Sequence, residues 1–166
     1  MANITTARIS TIEGTIRVSG SVNSVGDSIH TLGNETHRYQ DLFSSQATIG
    51  AFHESGLKTE GIGKYPDGTI VVWRNGVLVP CDKSGDSMVL GVIKHNRDEP
   101  IVLGAEYILV VGKVKEGNFL IASNVEGYGK AAKWYNRKFG RIIGQSLENT
   151  KDNEKYSLIK AMIFKL

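Results

Sequence analysis

The amino-acid sequence predicts an all-β protein, in which a short N-terminal strand-and-turn assembly segment precedes an antiparallel β-sandwich or barrel-like domain. Short runs rich in Val, Ile and Thr recur along the chain, with turn sequences about every 8–12 residues. The chain has 19 glycines and 3 prolines, whereas average usage predicts about twelve glycines in this length. Because Gly, Asn and Asp make tight turns, this composition favours many short strands.

The first predicted strands lie within residues 4–25, where Thr, Ser, Ile and Val alternate in part and Gly14 and Gly20 interrupt the pattern. The apolar residues of this segment include no aromatic side chain: Ile9, Ile12, Ile16, Val18 and Val22. Such a segment cannot bury enough surface by itself. We therefore expect residues 1–50 to form an assembly and attachment segment that pairs with other chains.

The domain predicted over residues 51–166 begins with a strand at 47–52 and a loop that ends in Pro66-Asp67-Gly68, a turn sequence. The next two runs are joined by Asn75-Gly76, the strongest short-range hairpin signal. Further apolar runs predict the remaining strands: 87–95, 101–114, 119–123, 139–149 and 157–166.

A helical interpretation of residues 139–147 is weaker than a strand followed by a bend. Gly140 and Gly144 would each cost about 1 kcal/mol relative to Ala in a helix interior. The chain therefore carries about seven strands.

Composition indicates a folded, soluble protein. Hydrophobic residues make up 40% and charged residues 22%, and the formal net charge is +3, which is mild enough to serve solubility. Residues 1–19 lack the apolar core of a secretory signal, and no apolar run approaches the ~20 residues that cross a bilayer. The single cysteine, Cys81, excludes an internal disulfide. Because it closes an apolar strand, we expect it to be buried as a small hydrophobe.

No catalytic or ligand-binding motif is recognisable. The four histidines, His30, His37, His53 and His95, match no metal-ligand spacing, although copies of one histidine around a threefold axis could still hold an ion. Glycine patterns such as 127–131 lack the phosphate-loop spacing. We therefore predict no enzyme, no cofactor and no metal.

Residues 130–138, KAAKWYNRK, combine Trp134 and Tyr135 with four cations. Single-stranded nucleic acid or a glycan could bind such a composition, but we favour the interpretation that the two rings cover a sheet edge. Recognition usually lies on loops of a rigid scaffold. The candidates for surface recognition are Asn96, Arg97, Tyr128, Trp134 and Tyr135.

Residues 28–52, SIHTLGNETHRYQDLFSSQATIGAF, resemble a motif of bacteriophage tail fibres and related virion appendages, in which Leu-Gly, Arg-aromatic and Asp-Leu-aromatic pairs precede a short strand. The matching positions are Leu32, Gly33, Arg38, Tyr39, Asp41, Leu42, Phe43 and 47–50. Residues 68–166 resemble a β-rich module of structural proteins of tailed phages, including cyanophages. Its motifs match Gly91-Val92-Ile93, 110–123 and 140–148.

This resemblance implies a non-enzymatic virion protein, assembled in the host cytoplasm, that forms a trimeric tail-fibre, spike or baseplate-associated component. Its expected partners are its own copies, other virion proteins and a host-surface glycan or receptor, with neither nucleic acid nor membrane among them. Three copies can close a core that no monomer could form. The side chains expected in that interface are Ile16, Val18, Leu32, Tyr39, Leu42 and Phe43.

Other functions stay open. The chain could be a capsid decoration (cement) protein, for which a trimeric β-domain is equally suitable, or a host-encoded β-domain. It also resembles tail-spike domains that cleave themselves off after helping a trimer fold, but no residue here matches their catalytic dyad. A glycan hydrolase would need paired carboxylates in a cleft, and the sequence gives no reason to pair Glu54, Glu60, Asp82 or Asp86.

Overall fold

The computed structural model describes residues 51–54, 56–94 and 97–165, with the backbone alone at residue 136. These residues belong to one compact unit and form nine strands and one short 3₁₀ helix. The elements are β1 (Ala51–His53), β2 (Thr69–Arg74), β3 (Val77–Pro80), β4 (Val89–Ile93), β5 (Ile101–Val111), β6 (Phe119–Ala122), β7 (Gly129–Ala131), the 3₁₀ helix (Trp134–Asn136), β8 (Ile142–Ser146) and β9 (Tyr156–Ile163). No helix in this part of the chain is long and apolar enough to cross a membrane.

Five strands close into a small barrel in the order β5–β7–β6–β8–β9, with β9 returning to β5. The seam between β5 and β9 is the longest antiparallel pairing, running from Gly104↔Ile163 to Val111↔Tyr156. The β5–β7 contact is parallel and centres on Val110↔Gly129. The remaining pairings of the barrel are antiparallel. The predicted all-β, barrel-like fold is therefore confirmed.

Strand β5 is long enough to belong to the barrel and to a sheet extension at once. Its C-terminal part lines the barrel, while Ile101 pairs with Val92 of β4 on one side. On the other side, Phe52 of β1 pairs with Leu103. Strands β2 and β3 continue the sheet beyond β4. The extra residues of β5 thus join the barrel to a three-stranded extension and to β1.

The local turns follow the predicted chemistry. Asn75 and Gly76 have φ angles of 48° and 86°, as a two-residue type I′ hairpin turn requires. Gly68, which ends the Pro-Asp-Gly turn, has φ of 79°, and its N–H donates to the carbonyl of Ile93 while its carbonyl accepts from Leu109 N–H. This turn therefore connects the end of β4 to the middle of β5.

The main core fills the barrel and continues under the extension. Its buried side chains come from strands and adjoining turns: Ile70, Val72, Cys81, Val89, Val92, Ile101, Ile108, Val110, Val114, Leu120, Ala122, Ile143, Ile159, Ala161 and Ile163. Cys81 lies in this cluster and is fully buried, as predicted. A second cluster forms on the opposite face of β2–β3–β4 around Val71, Leu78 and Ile93. The sheet extension is therefore covered on both faces.

The sequence prediction was incomplete in three respects. It missed β7, whose three residues (Gly-Lys-Ala) have no strand propensity. It described only antiparallel pairing, whereas β5 and β7 run parallel. It also ended the first strand of the domain at residue 52, whereas β1 ends at His53; residues 47–50 lie outside the described residues. The predicted strands within residues 4–25 lie outside the described residues.

Candidate interaction surfaces

The outer surface of β1, β5 and β9 carries apolar side chains that face solvent, and we call it the β5–β9 face. Strand β9 alternates strictly between exposed and buried residues, so one side enters the core and the other points outward. The exposed large side chains of this face are Phe52, Leu103, Tyr107, Tyr156, Leu158 and Met162. Strand register places Leu158 opposite Leu109, Met162 opposite Ala105, and Tyr107 opposite the exposed Lys160.

This face is large for a single exposed apolar surface. Each of the six side chains is 39–48% exposed. With about 150–250 Å² for a large side chain, they leave roughly 400–700 Å² of side-chain surface in contact with water. The largest apolar patch on a typical monomer is about 300–600 Å² and is often functional. The face therefore has the size of an interaction site.

A pocket of about 230 Å³ lies within the β5–β9 face. Its lining includes Tyr107 and Leu158 together with four charged side chains: Asp67, Lys94, Glu106 and Lys160. Lys94 and Glu106 form an ion pair there, and the Lys160 ammonium group lies 5.9 Å from the centroid of the Tyr107 ring. The pocket thus combines the bodies of Tyr107 and Leu158 with two acidic and two basic side chains.

A second surface is the segment of residues 130–141, which we call the 130–141 loop. It begins in β7, passes through the 3₁₀ helix and ends before β8. Trp134 is 82% exposed and Phe139 92% exposed. The rings of Trp134 and Tyr135 meet edge to face with centroids 5.8 Å apart. The expectation that Trp134 and Tyr135 cover a sheet edge is therefore wrong.

The base of the 130–141 loop is fixed, although its tip is exposed. Ala132 N–H donates to the Phe119 carbonyl at 2.7 Å, and Ala132 is buried against Ile121 and Ile142 in a small apolar cluster. Arg137 lies over the Phe119 ring at 5.5 Å from its centroid. The barrel therefore holds both ends of the loop and presents the residues between them to solvent.

Two of the carboxylates considered for a hydrolytic pair, Asp86 and Glu60, have cationic partners. The buried Asp86 carboxylate accepts hydrogen bonds from Met88 N–H and from Arg74. Burial by itself raises the pKa of Asp86, but these hydrogen bonds and the Arg74 charge outweigh it, so the net pKa is lowered. Glu60 pairs with Lys64. Each of these two carboxylates is thus paired with a cation and not with a second carboxylate.

Neither a metal site nor an activated thiol is found in the described part of the chain. No group of His, Cys, Asp and Glu residues there could hold a metal ion. Burial raises the pKa of Cys81 to about 11, so the thiol stays protonated near neutral pH. A buried, protonated thiol is a poor nucleophile.

The structure brings few of the predicted site residues together. Trp134 and Tyr135 are neighbours on the 130–141 loop, whereas the Tyr128 ring packs against Tyr156 at 5.2 Å beside the β5–β9 face. Arg97 is exposed in the turn after β4. Asn96 and the six predicted interface residues, Ile16, Val18, Leu32, Tyr39, Leu42 and Phe43, lie outside the described residues.

Sequence reasoning missed the β5–β9 face. The signal was present in YILVV (107–111), where consecutive apolar residues must face both sides of a strand. Such a run is typical of a strand that is covered on both faces, but only one face of β5 and β9 is covered within the described residues.

No family model matches the chain, and no curated protein matches its sequence.

Proposed function

We propose that the chain is a non-enzymatic structural protein of a tailed-phage virion, a trimeric tail-fibre, spike or baseplate-associated component whose copies associate through the β5–β9 face. The resemblance of residues 28–52 and 68–166 to phage appendage proteins supports the virion assignment. The observation that carries the association is the set of six exposed large side chains over β1, β5 and β9, among which Lys160 is the exposed charged residue of β9.

The size of the face suits contact between copies. A standard interface buries about 800 Å² on each partner, of which about 56–65% is apolar. The roughly 400–700 Å² of exposed side-chain surface on the six large residues is close to that apolar share. Three copies that point the same face toward a threefold axis would remove it from water.

Charges at the margin of the face also suit self-association. Lys94 and Glu106 already pair within one chain, so a second copy would meet a nearly neutral rim. Apolar centres with polar rims are the usual anatomy of such contacts. An identical copy would offer a matching set of exposed large side chains.

Light scattering on the full-length chain after size-exclusion chromatography tests the association. We expect wild-type protein to have the mass of a trimer and Leu158→Asp to shift toward the mass of one chain, because it places a carboxylate in the apolar centre. Ile62→Asp is the matched control, since Ile62 is exposed in the loop before β2 and does not line the pocket of the face. A trimer that Leu158→Asp leaves intact would exclude the β5–β9 face as its interface.

The virion assignment needs a separate test. Immunogold electron microscopy with an antibody against the 51–166 domain, on particles of a phage that encodes the chain, should label the tail or baseplate. Label over the head would instead identify a capsid decoration protein. Particles without label would refute a virion role.

A further inference from the structure

The 130–141 loop presents rings to solvent that no described residue covers. Phe139 carries no polar atom and is 92% exposed, and Trp134 is 82% exposed. Scattered single apolar residues are normal on a surface. Here, however, two nearly bare rings and the half-exposed Tyr135 lie within six residues of one loop.

The same loop is strongly cationic. Its charged side chains are Lys130, Lys133, Arg137, Lys138 and Arg141, and the sequence has no Asp or Glu between Gly127 and Leu147. None of these five cations forms an ion pair with a carboxylate among the described residues. The loop therefore concentrates positive charge, whereas other exposed lysines such as Lys113 and Lys151 have acidic partners.

Aromatic rings interleaved with Lys and Arg match the chemistry of a bilayer interface. Trp and Tyr favour the headgroup region, and apolar rings inserted at its edge add to the attraction between cations and anionic lipids. Each Lys or Arg near an anionic leaflet strengthens binding by about five-fold. A polysaccharide or single-stranded nucleic acid would use the cations and stack on Trp134, but only a bilayer offers an apolar phase to the Phe139 ring, which is 92% exposed.

We propose that the 130–141 loop docks onto an anionic lipid bilayer, with Trp134 and Phe139 inserted at the headgroup level and the surrounding cations on lipid phosphates. This inference goes beyond the proposed function and does not use the β5–β9 face. It departs from the sequence-based expectation of no membrane partner, which rested on the absence of an apolar run long enough to cross a bilayer.

Fluorescence of Trp134 provides a direct test. The chain has 2 tryptophans, so a Trp73→Phe variant of the full-length protein leaves Trp134 as the only indole. We expect its emission to shift to shorter wavelength with vesicles of equal phosphatidylglycerol and phosphatidylcholine, and not with phosphatidylcholine alone. The protein should co-sediment with the anionic vesicles, and raising the salt concentration should weaken this binding.

Charge and ring variants identify the loop as the binding element. In the Trp73→Phe protein, the double substitution Lys133→Gln with Lys138→Gln should weaken vesicle binding about 25-fold, because each lost cation weakens it about five-fold. Phe139→Ser should also reduce co-sedimentation, and its exposed position means that folding is unaffected. The control pair Lys113→Gln with Lys151→Gln removes two exposed cations elsewhere and should bind like the parent.

Other outcomes would overturn the proposal. Unshifted Trp134 emission with anionic vesicles, or equal losses in the control pair, would refute lipid docking. Tighter binding to oligo(dT) or heparin than to the vesicles would assign the loop to nucleic acid or an acidic glycan instead. If the emission of Trp134 shifts to shorter wavelength without vesicles, and more so at higher protein concentration, the loop would instead bind a second copy of the chain. Because these variants leave Leu158 unchanged, failure here is distinguishable from failure of the association proposal.

Discussion

Replacing Gly144 by Ala should open the barrel at the contact between β8 and β9. Gly144 pairs with Leu120 of β6 on one side and with Ile163 of β9 on the other. A Cβ atom at Gly144 would lie 2.3 Å from the Met162 carbonyl oxygen and 3.2 Å from the Ile163 Cα. Both are backbone atoms, so no side-chain rotation can relieve the clash, and the two strands must separate.

The expected cost follows from that geometry. Overpacking a well-packed interior typically costs 1–3 kcal/mol, and a clash with paired backbone belongs at the upper end, at about 3 kcal/mol. In a chain of this size each kcal/mol lowers the melting temperature by roughly 2–5 °C, so a decrease of about 10 °C is expected. Circular dichroism during heating and urea titration would measure both quantities.

Gly61→Ala is the matched control for this substitution. A Cβ atom at Gly61 meets no atom within 4 Å, and its backbone does not have a positive φ. We expect its free energy of unfolding to stay within about 0.5 kcal/mol of wild type. A Gly144→Ala protein that is as stable as the control would refute the close approach of β8 and β9.

Three further predictions concern single residues. Because the pKa of Asp86 is lowered, the stability that its carboxylate contributes is present above the unfolded-state pKa of an aspartate and is lost as the pH falls through the folded value. Asp86→Asn weakens the pairing with Arg74 and should lower the free energy of unfolding by about 1–2 kcal/mol near neutral pH. It should also reduce the loss of stability at acid pH, and an unchanged loss would contradict this. The raised pKa of Cys81 predicts a loss of stability at alkaline pH, because the stability from the buried thiol is full below its ordinary pKa of 9.0 and is lost toward pH 11. The native protein should also react with a thiol reagent far more slowly than the urea-unfolded chain, and equal rates would show that the thiol is accessible. Gly76→Ala places a Cβ in a backbone with φ of 86° and should cost about 1 kcal/mol in urea unfolding, whereas a neutral effect would contradict the type I′ turn.

The hairpin of β2 and β3 was predictable in detail because its determinants are local. The Asn75-Gly76 turn sets both φ angles and the register of the two strands. The burial of Cys81 was likewise predictable, since it ends an apolar strand next to a charged turn. Strand β7 was not predictable, because its three residues form a strand only through pairing with Val110 and with β6.

The candidate surfaces could be predicted only in part. The 130–141 loop was recognisable by its composition. The exposure of Trp134 was not, because it depends on how the hydrogen bond between Ala132, just after β7, and Phe119 of β6 positions the loop. The β5–β9 face could not be predicted, because a strand with apolar residues on both sides does not reveal which side its neighbours leave uncovered.

The amino-acid sequence by itself determined the β class, most strand positions and the chemistry of the turns, since these depend on side-chain alternation and backbone preferences within a few residues. Only the tertiary structure decided that β9 returns to β5 and closes a five-stranded barrel. Pairing between strands about 50 positions apart is set by how the whole set of side chains fills one core. That closure also decided which apolar side chains remain in water, and hence which surfaces can bind a partner.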